Sequence, residues 1–131
     1  MSQPHDAARS AHTAAGTPAS DCVFCTIVAG EIPATKVLET DRVLAFRDIA
    51  PHAPVHVVVI PKQHFVDTYD IAHADPDYLG EVLRVATDVA VQEGLTGGYR
   101  ILTNTGPDSG QTVFHVHVHV LGGKNLGALA G

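Results

Sequence analysis

The chain has 131 residues, 45% of them hydrophobic and 17% charged, enough for one domain with a proper core. A formal charge of -6 and a sequence pI of about 5.8 argue against a broad nucleic-acid or anionic-membrane surface, so an anionic substrate would be held by local donors such as histidine and backbone N–H groups. No apolar run is long enough for a bilayer, no secretory leader opens the chain, and both cysteines share one Cys-x-x-Cys, so the expectation is a cytoplasmic protein without a disulfide framework.

Met1 to about Ser20 is rich in Ala, Ser, Thr and His without usable periodicity, which predicts a disordered tail over residues 1–20 and one domain over 21–131. Order is expected from Asp21 and Cys22-Val23-Phe24-Cys25. One Cys-x-x-Cys is half a zinc site, since a structural zinc needs four ligands. A redox role would want a thioredoxin-like context, and two small buried hydrophobes would serve as well. Zinc becomes attractive only if two histidines fold back onto the pair.

Thr35–Glu39 and Val43–Arg47 read as a hairpin turning at Thr40-Asp41-Arg42, with Phe46, Asp48 and Ile49 at the strand end where polar groups often face a ligand. After a loop bracketed by Pro51 and Pro54, His56-Val57-Val58-Val59-Ile60-Pro61 is a β-branched run suited to a central buried strand. His56 at its mouth is either a partner for other histidines or a satisfied structural residue. Asp75-Pro76 reads as an N-cap followed by proline at the first helical position. Leu79, Val82, Leu83, Ala86 and Ala90 recur at helical spacing up to a C-cap at Gly94, and the helix is expected to cover the sheet. Val85, Val89 and Val91 widen its apolar surface toward a second partner, such as another subunit. Tyr99–Asn104 reads as a further strand, followed by the tight loop Thr105–Gly110. That loop delivers Gln111 and Thr112 to the next strand. Neither a Walker nor a Rossmann glycine pattern is present.

The densest chemistry lies between Gln111 and Gly123. His115, His117 and His119 alternate with Val116, Val118 and Val120, the period of a strand whose two faces meet different environments. Neighbouring imidazoles on one face start roughly 7 Å apart, close enough for two to converge on one phosphate or one metal. Three readings fit: a nucleophilic histidine with two helpers, a His-x-His metal site, and a pH-sensitive binding face. A nucleophilic imidazole must be neutral, with one nitrogen free and its other N–H pinned, usually to a carbonyl.

The run His115-Val116-His117-Val118-His119-Val120-Leu121 matches the histidine-triad motif. With D-C-V-F-C-T-I-V-A-G-E-I-P-A, L-A-F-R-D-I-A-P, H-V-V-V-I-P-K-Q-H and the Gly110-Gln111 lead, Asp21 to Gly123 resembles the nucleotide-binding, Hint-like branch of the histidine-triad (HIT) superfamily. The resemblance implies an α+β fold with a central antiparallel sheet and one main helix packed on it, a homodimer, and hydrolysis or transfer at the α-phosphorus of a purine nucleotide conjugate. It makes His117 the nucleophile that forms a nucleotidyl-histidine, His119 the residue that binds the phosphoryl oxygens or helps the leaving group, and His56 their support. It assigns Asp48 to the ribose hydroxyls, Phe24, Ile27, Phe46 and Ile49 to the base, and Asn104, Gln111 and Thr112 to the phosphate and leaving group. Carried over from the zinc-holding members, a structural zinc would take Cys22, Cys25, His64 and His115, and no catalytic cofactor is required. Related transferases usually replace the last triad histidine with glutamine, so His119 favours hydrolysis. The leading expectation is a nucleoside phosphoramidase. Rivals are a dinucleoside polyphosphate hydrolase, a zinc hydrolase using all three triad histidines as ligands, and a nucleotide-binding adaptor. Thr112 stands where serine is common, and the tryptophan-proline ending of many members is absent.

Overall fold

The structure, a computed structural model, describes residues 21–129, so the tail expected over residues 1–20 lies outside it. The elements in order are α1 (Val23–Val28), β1 (Lys36–Glu39), β2 (Val43–Arg47), β3 (Val55–Pro61), α2 (Thr68–Ala74), α3 (Pro76–Gln92), β4 (Tyr99–Leu102), a single 3-10 turn at Pro107–Ser109 and β5 (Val118–Gly122). The five strands form one antiparallel sheet in the order β1-β2-β3-β5-β4. The fold class is α+β.

The β-branched run makes β3 the middle strand, buried on both faces as its composition requires. Alternation sorts its side chains. Val57 and Val59 join Val43, Ala45, Val118 and Val120 against α3, while Val58 and Ile60 join Leu44 and Phe46 against α1. The sheet thus separates a large core from a smaller one. Val58 stands opposite His119, which places the histidine side of β5 on the α1 face.

Helix α3 begins as expected, with the Asp75 carboxylate accepting from Tyr78 N at 3.1 Å and Pro76 in the first turn. Its buried stripe is Tyr78, Val82, Val85, Ala86, Val89 and Ala90. Val85 and Val89, expected to face a second partner, lie in the core, whereas Leu83 is 40% exposed and Val91 81% exposed. The anchor is Tyr78, whose hydroxyl donates to Arg42 O at 2.5 Å and whose ring meets Phe65 edge-on. Fixing Tyr78 inward sets the rotation of the whole helix and turns Leu83 out. Helix α2 has no counterpart in the sequence reading. Its seven residues bury only Ile71, too little for a periodic signal, and its start rests on the Asp67 cap, which accepts from Asp70 N at 3.0 Å. Strand β4 ends at Leu102, two residues short of the expected Asn104.

The histidine stretch is only partly sheet. The ladder holds Val118–Gly122, while His115 to His117 enter from beyond its end, with Val116 N donating to Phe65 O at 2.7 Å. Among the described residues no helix is long and apolar enough to cross a membrane.

Candidate functional site

All three triad side chains lie within reach of α1 or of the loop before β3, yet each meets a different backbone environment. His117 is 8% exposed, and its Nδ1–H donates to the carbonyl of His115 at 2.9 Å. A carbonyl can only accept, so the neutral ring has its proton on Nδ1 and a lone pair on Nε2. Burial lowers its pKa, against the opposing pull of that carbonyl and of Asp48, and keeps the ring neutral. His119 follows, with ring centroids 5.0 Å apart. Burial, with His117 and His56 nearby, pushes it down to about 4. His119 Nδ1 lies 2.9 Å from His56 Nε2, and His56 Nε2 lies 3.4 Å from the Asp48 carboxylate. His56 is itself lowered by burial and accepts from His52 N at 3.0 Å through Nδ1. Asp48 is held by its own turn, its other oxygen accepting from Ala50 N at 2.8 Å.

His115 leaves this group for another. It is fully buried, its Nε2–H donates to Pro61 O at 2.8 Å, and its Nδ1 faces Cys22 Sγ at 3.3 Å and Cys25 Sγ at 3.5 Å. His64 Nδ1 completes the set, 3.4 Å from Cys25 Sγ. The four donor atoms lie within 4.8 Å of one another, so the half-site at α1 has found its two histidines. Helix α1 supplies both cysteines from its N-terminal turn: Cys22 is the N-cap, its sulfur accepting from Cys25 N at 3.3 Å, which is the usual support for a thiolate ligand. The donor set suits zinc: two soft sulfurs, and an imidazole whose far nitrogen is pinned by a carbonyl so that its lone pair points inward. Burial and the neighbouring Cys22 push the Cys25 thiol up to about 12, and burial holds His115 down to about 4.

Between the two groups stands Phe24, edge-on to His115 at 5.9 Å, to His117 at 5.2 Å and to Phe46 at 5.6 Å. On its other side opens a largely apolar cleft of about 590 Å³ whose walls include Phe24, Ile27, Phe46, Val58, Asp48 and Ile49. Four apolar residues expected around a base and the acid expected at a ribose therefore line one cavity. Ile49 stands at its rim, fully exposed. Arg47 also lines the cleft, but its guanidinium is paired in a bidentate manner with Glu93.

Asn104, Gln111 and Thr112 do not line that cleft; they lie on the segment leading into the triad. The Gln111 amide is buried and engaged, donating to Val66 O at 2.8 Å and Val113 O at 3.1 Å and accepting from Gly106 N at 2.8 Å. It braces the loop around the 3-10 turn, where Gly106 and Gly110 have φ of 83° and 95°, values that favour glycine. Thr112 is exposed and Asn104 half-buried. Sequence reading passed over Thr103, whose hydroxyl donates to His117 O at 2.7 Å, and His52, which meets the site through its backbone. A threonine at a strand end was the only available signal for the first; a backbone contact leaves none.

The HIT domain family model matches residues 29–126. The chain is 47% identical over 116 residues to Adenylylsulfatase HINT1 of Arabidopsis thaliana, covering 86% of this chain and 78% of that protein. It is 45% identical over 108 residues to the 14 kDa zinc-binding protein of Brassica juncea, covering 81% and 96%. Among solved structures it resembles a zinc-bound histidine triad family protein from Mycobacterium smegmatis, with TM-score 0.74, 37% identity and coverage of 86% and 82%. With the triad running into β5, the sheet order and the family match in agreement, this chain belongs to the histidine-triad (HIT) family.

Proposed function

We propose that this protein is a nucleotidyl hydrolase, a nucleoside 5′-phosphoramidase acting on purine nucleotide conjugates at the α-phosphorus. The observation that carries the reading is His117: its Nδ1–H is pinned to a carbonyl and its Nε2 is free, beside a second neutral imidazole and behind Phe24, which also walls an apolar cleft. The name of the Arabidopsis relative, an adenylylsulfatase, supports chemistry at a nucleotide α-phosphorus.

In this mechanism the base enters against Phe24, Ile27, Phe46 and Ile49, and Asp48 accepts from the ribose hydroxyls. The His117 Nε2 lone pair attacks phosphorus in line. The bond from phosphorus to the leaving nitrogen breaks, its electron pair takes a proton from solvent to form the departing amine, and His119 donates a hydrogen bond to the phosphoryl oxygens. Water then attacks the nucleotidyl-histidine, the bond from phosphorus to His117 breaks, and the proton released by water replaces the one given to the amine. Two easier displacements replace one difficult one. Asn104, Gln111 and Thr112 act on the phosphate side, Gln111 by holding the loop in shape. Cys22, Cys25, His64 and His115 would hold a zinc ion that braces the start of the triad and takes no part in bond making. The outer edge of β4, which pairs with no further strand among the described residues and leaves Tyr99 exposed, is the surface for a homodimer.

The test is turnover of adenosine 5′-phosphoramidate by wild type and His117→Ala, each with and without a chelator. Activity that survives chelation and vanishes with His117 is expected. A folded wild type inert toward this substrate and toward a diadenosine polyphosphate would refute the reading.

A further inference from the structure

The direction of the hydrogen bonds through the site is set from outside the triad. A backbone N–H can only donate, so the contact from His52 N makes His56 Nδ1 an acceptor. A neutral His56 ring then carries its proton on Nε2, the nitrogen 2.9 Å from His119 Nδ1 and 3.4 Å from Asp48. His119 Nδ1 in turn accepts, and the neutral His119 ring keeps its proton on Nε2. We propose that the backbone amide of His52 is a positioning group that fixes this polarity, so that His119 offers an N–H donor next to the free lone pair of His117. The inference rests on the reading of His117 and His119 as the reacting pair.

The same amide distinguishes two donor clusters of similar shape. The ligand atoms of Asp48, His56 and His119 also lie within 4.8 Å of one another, an arrangement of two imidazoles and a carboxylate that would suit a metal. A metal there would need the His56 lone pair on Nε2, which moves the proton to Nδ1, directly against the His52 N–H. His115 has the opposite support, a carbonyl behind Nε2 and a lone pair aimed at the thiols. A carbonyl behind the ring prepares a ligand, whereas an amide behind the ring prepares a donor. One cluster is built for a metal and the other for a phosphate oxygen.

The test uses the full chain with His52→Ala in two forms, assembled from synthetic segments: one with the natural amide at residue 52, the other with that nitrogen exchanged for an ester oxygen. Nitrogen–proton correlation spectra of the imidazoles report which ring nitrogen is protonated, and kinetics with adenosine 5′-phosphoramidate report the consequence. The amide form is expected to show Nε2–H on His56 and His119. The ester form is expected to populate Nδ1–H on His56 and to lose about tenfold or more in kcat relative to the amide form, with KM little changed, since a positioned proton donor contributes on the order of a hundredfold or more. Identical ring protonation and kcat in the two forms would overturn the inference. If the ester form does not fold, the wild-type spectrum decides, because Nδ1–H on His56 there contradicts the proposal. A wild type that turns over no nucleotide conjugate but shows Nε2–H on both rings would refute the proposed reaction and leave the polarity intact.

Discussion

Removing the zinc proposed for the cysteine and histidine cluster would measure how far the cluster and the main core depend on each other. In the metal-free protein the ligand atoms still have partners, because the Cys22 thiol can donate to His115 Nδ1 at 3.3 Å and the Cys25 thiol to His64 Nδ1 at 3.4 Å. The larger core lies across the sheet from the cluster and holds Val43, Val57, Val59, Val82, Val85, Val89, Val118 and Val120. Each fully buried valine contributes roughly 1.5 kcal/mol or more. The chelated chain is therefore expected to stay folded at 25 °C. Zinc at about a thousand times its Kd stabilises the native state by about 4 kcal/mol. At about 4 °C per kcal/mol for a domain of this size, chelation should lower Tm by roughly 15 °C. Cys25→Ser should start from the lower value and gain little from added zinc. Because the Cys25 thiol lies near 12 before metal enters, zinc uptake must displace its proton, so affinity should rise with pH. Calorimetry, circular dichroism and metal analysis on the same samples provide the check. A Tm indifferent to chelation and reloading would remove zinc from this protein. Loss of secondary structure at 25 °C would show that the core does not stand without the cluster.

Phe24→Ala removes the edge contacts to Phe46 and His117 and opens one wall of the cleft. Aromatic contacts of this kind are worth about 1 kcal/mol each, so nucleotide affinity should fall roughly five- to tenfold by calorimetry, and unchanged affinity would move the base elsewhere. Gln111→Ala strands the Gly106 N–H, the buried Val66 carbonyl and the half-buried Val113 carbonyl, at a cost of about 2 kcal/mol in chemical denaturation; a loss under about 0.5 kcal/mol would mean that the loop holds itself. Stability should also depend on pH through His119. Its folded value near 4 lies below the ordinary 6.5, so the unfolded chain binds more protons between these limits and stability rises with pH across that window. The gap corresponds to roughly 3 kcal/mol, which partial exposure of the ring reduces to about half. His119→Gln should make the profile less steep between pH 4 and 6.5, with the other buried histidines keeping a remainder, and an equal slope in both proteins would refute the assignment.

Much of this architecture was legible from local patterns. The β-branched run required a strand buried on two faces, the alternation of valine and histidine required two environments, and Asp75-Pro76 announced a helix. What stayed hidden has a common cause. The helix phase depends on Tyr78 reaching Arg42, a contact across 36 residues. The ligand set depends on His64 and His115 meeting cysteines 39 and 93 residues away, and His56 meets His119 across 63. Local periodicity cannot encode such pairings; only the packing of distant segments brings them about. Without the family resemblance, the residues alone left nucleophile, metal site and pH-sensitive face equally open.

The triad itself shows why composition stops where it does. Three identical imidazoles at identical spacing are proposed for three roles, and what separates them is the backbone behind each ring. Pro61 O pins His115 with its lone pair toward the thiols, His115 O pins His117 with a free lone pair, and the amide of His52, through His56, sets His119 as a donor. The first two supports lie in series: His115 puts its ring among the thiols and its carbonyl against the proposed nucleophile, His117. A shift at the cluster must therefore reach His117, while the third support comes from a loop on the other side of the site and need not feel it. If that separation holds, chelation should alter the His117 ring resonances and leave those of His56 unchanged, and a His56 response as large as that of His117 would show that the two supports are coupled.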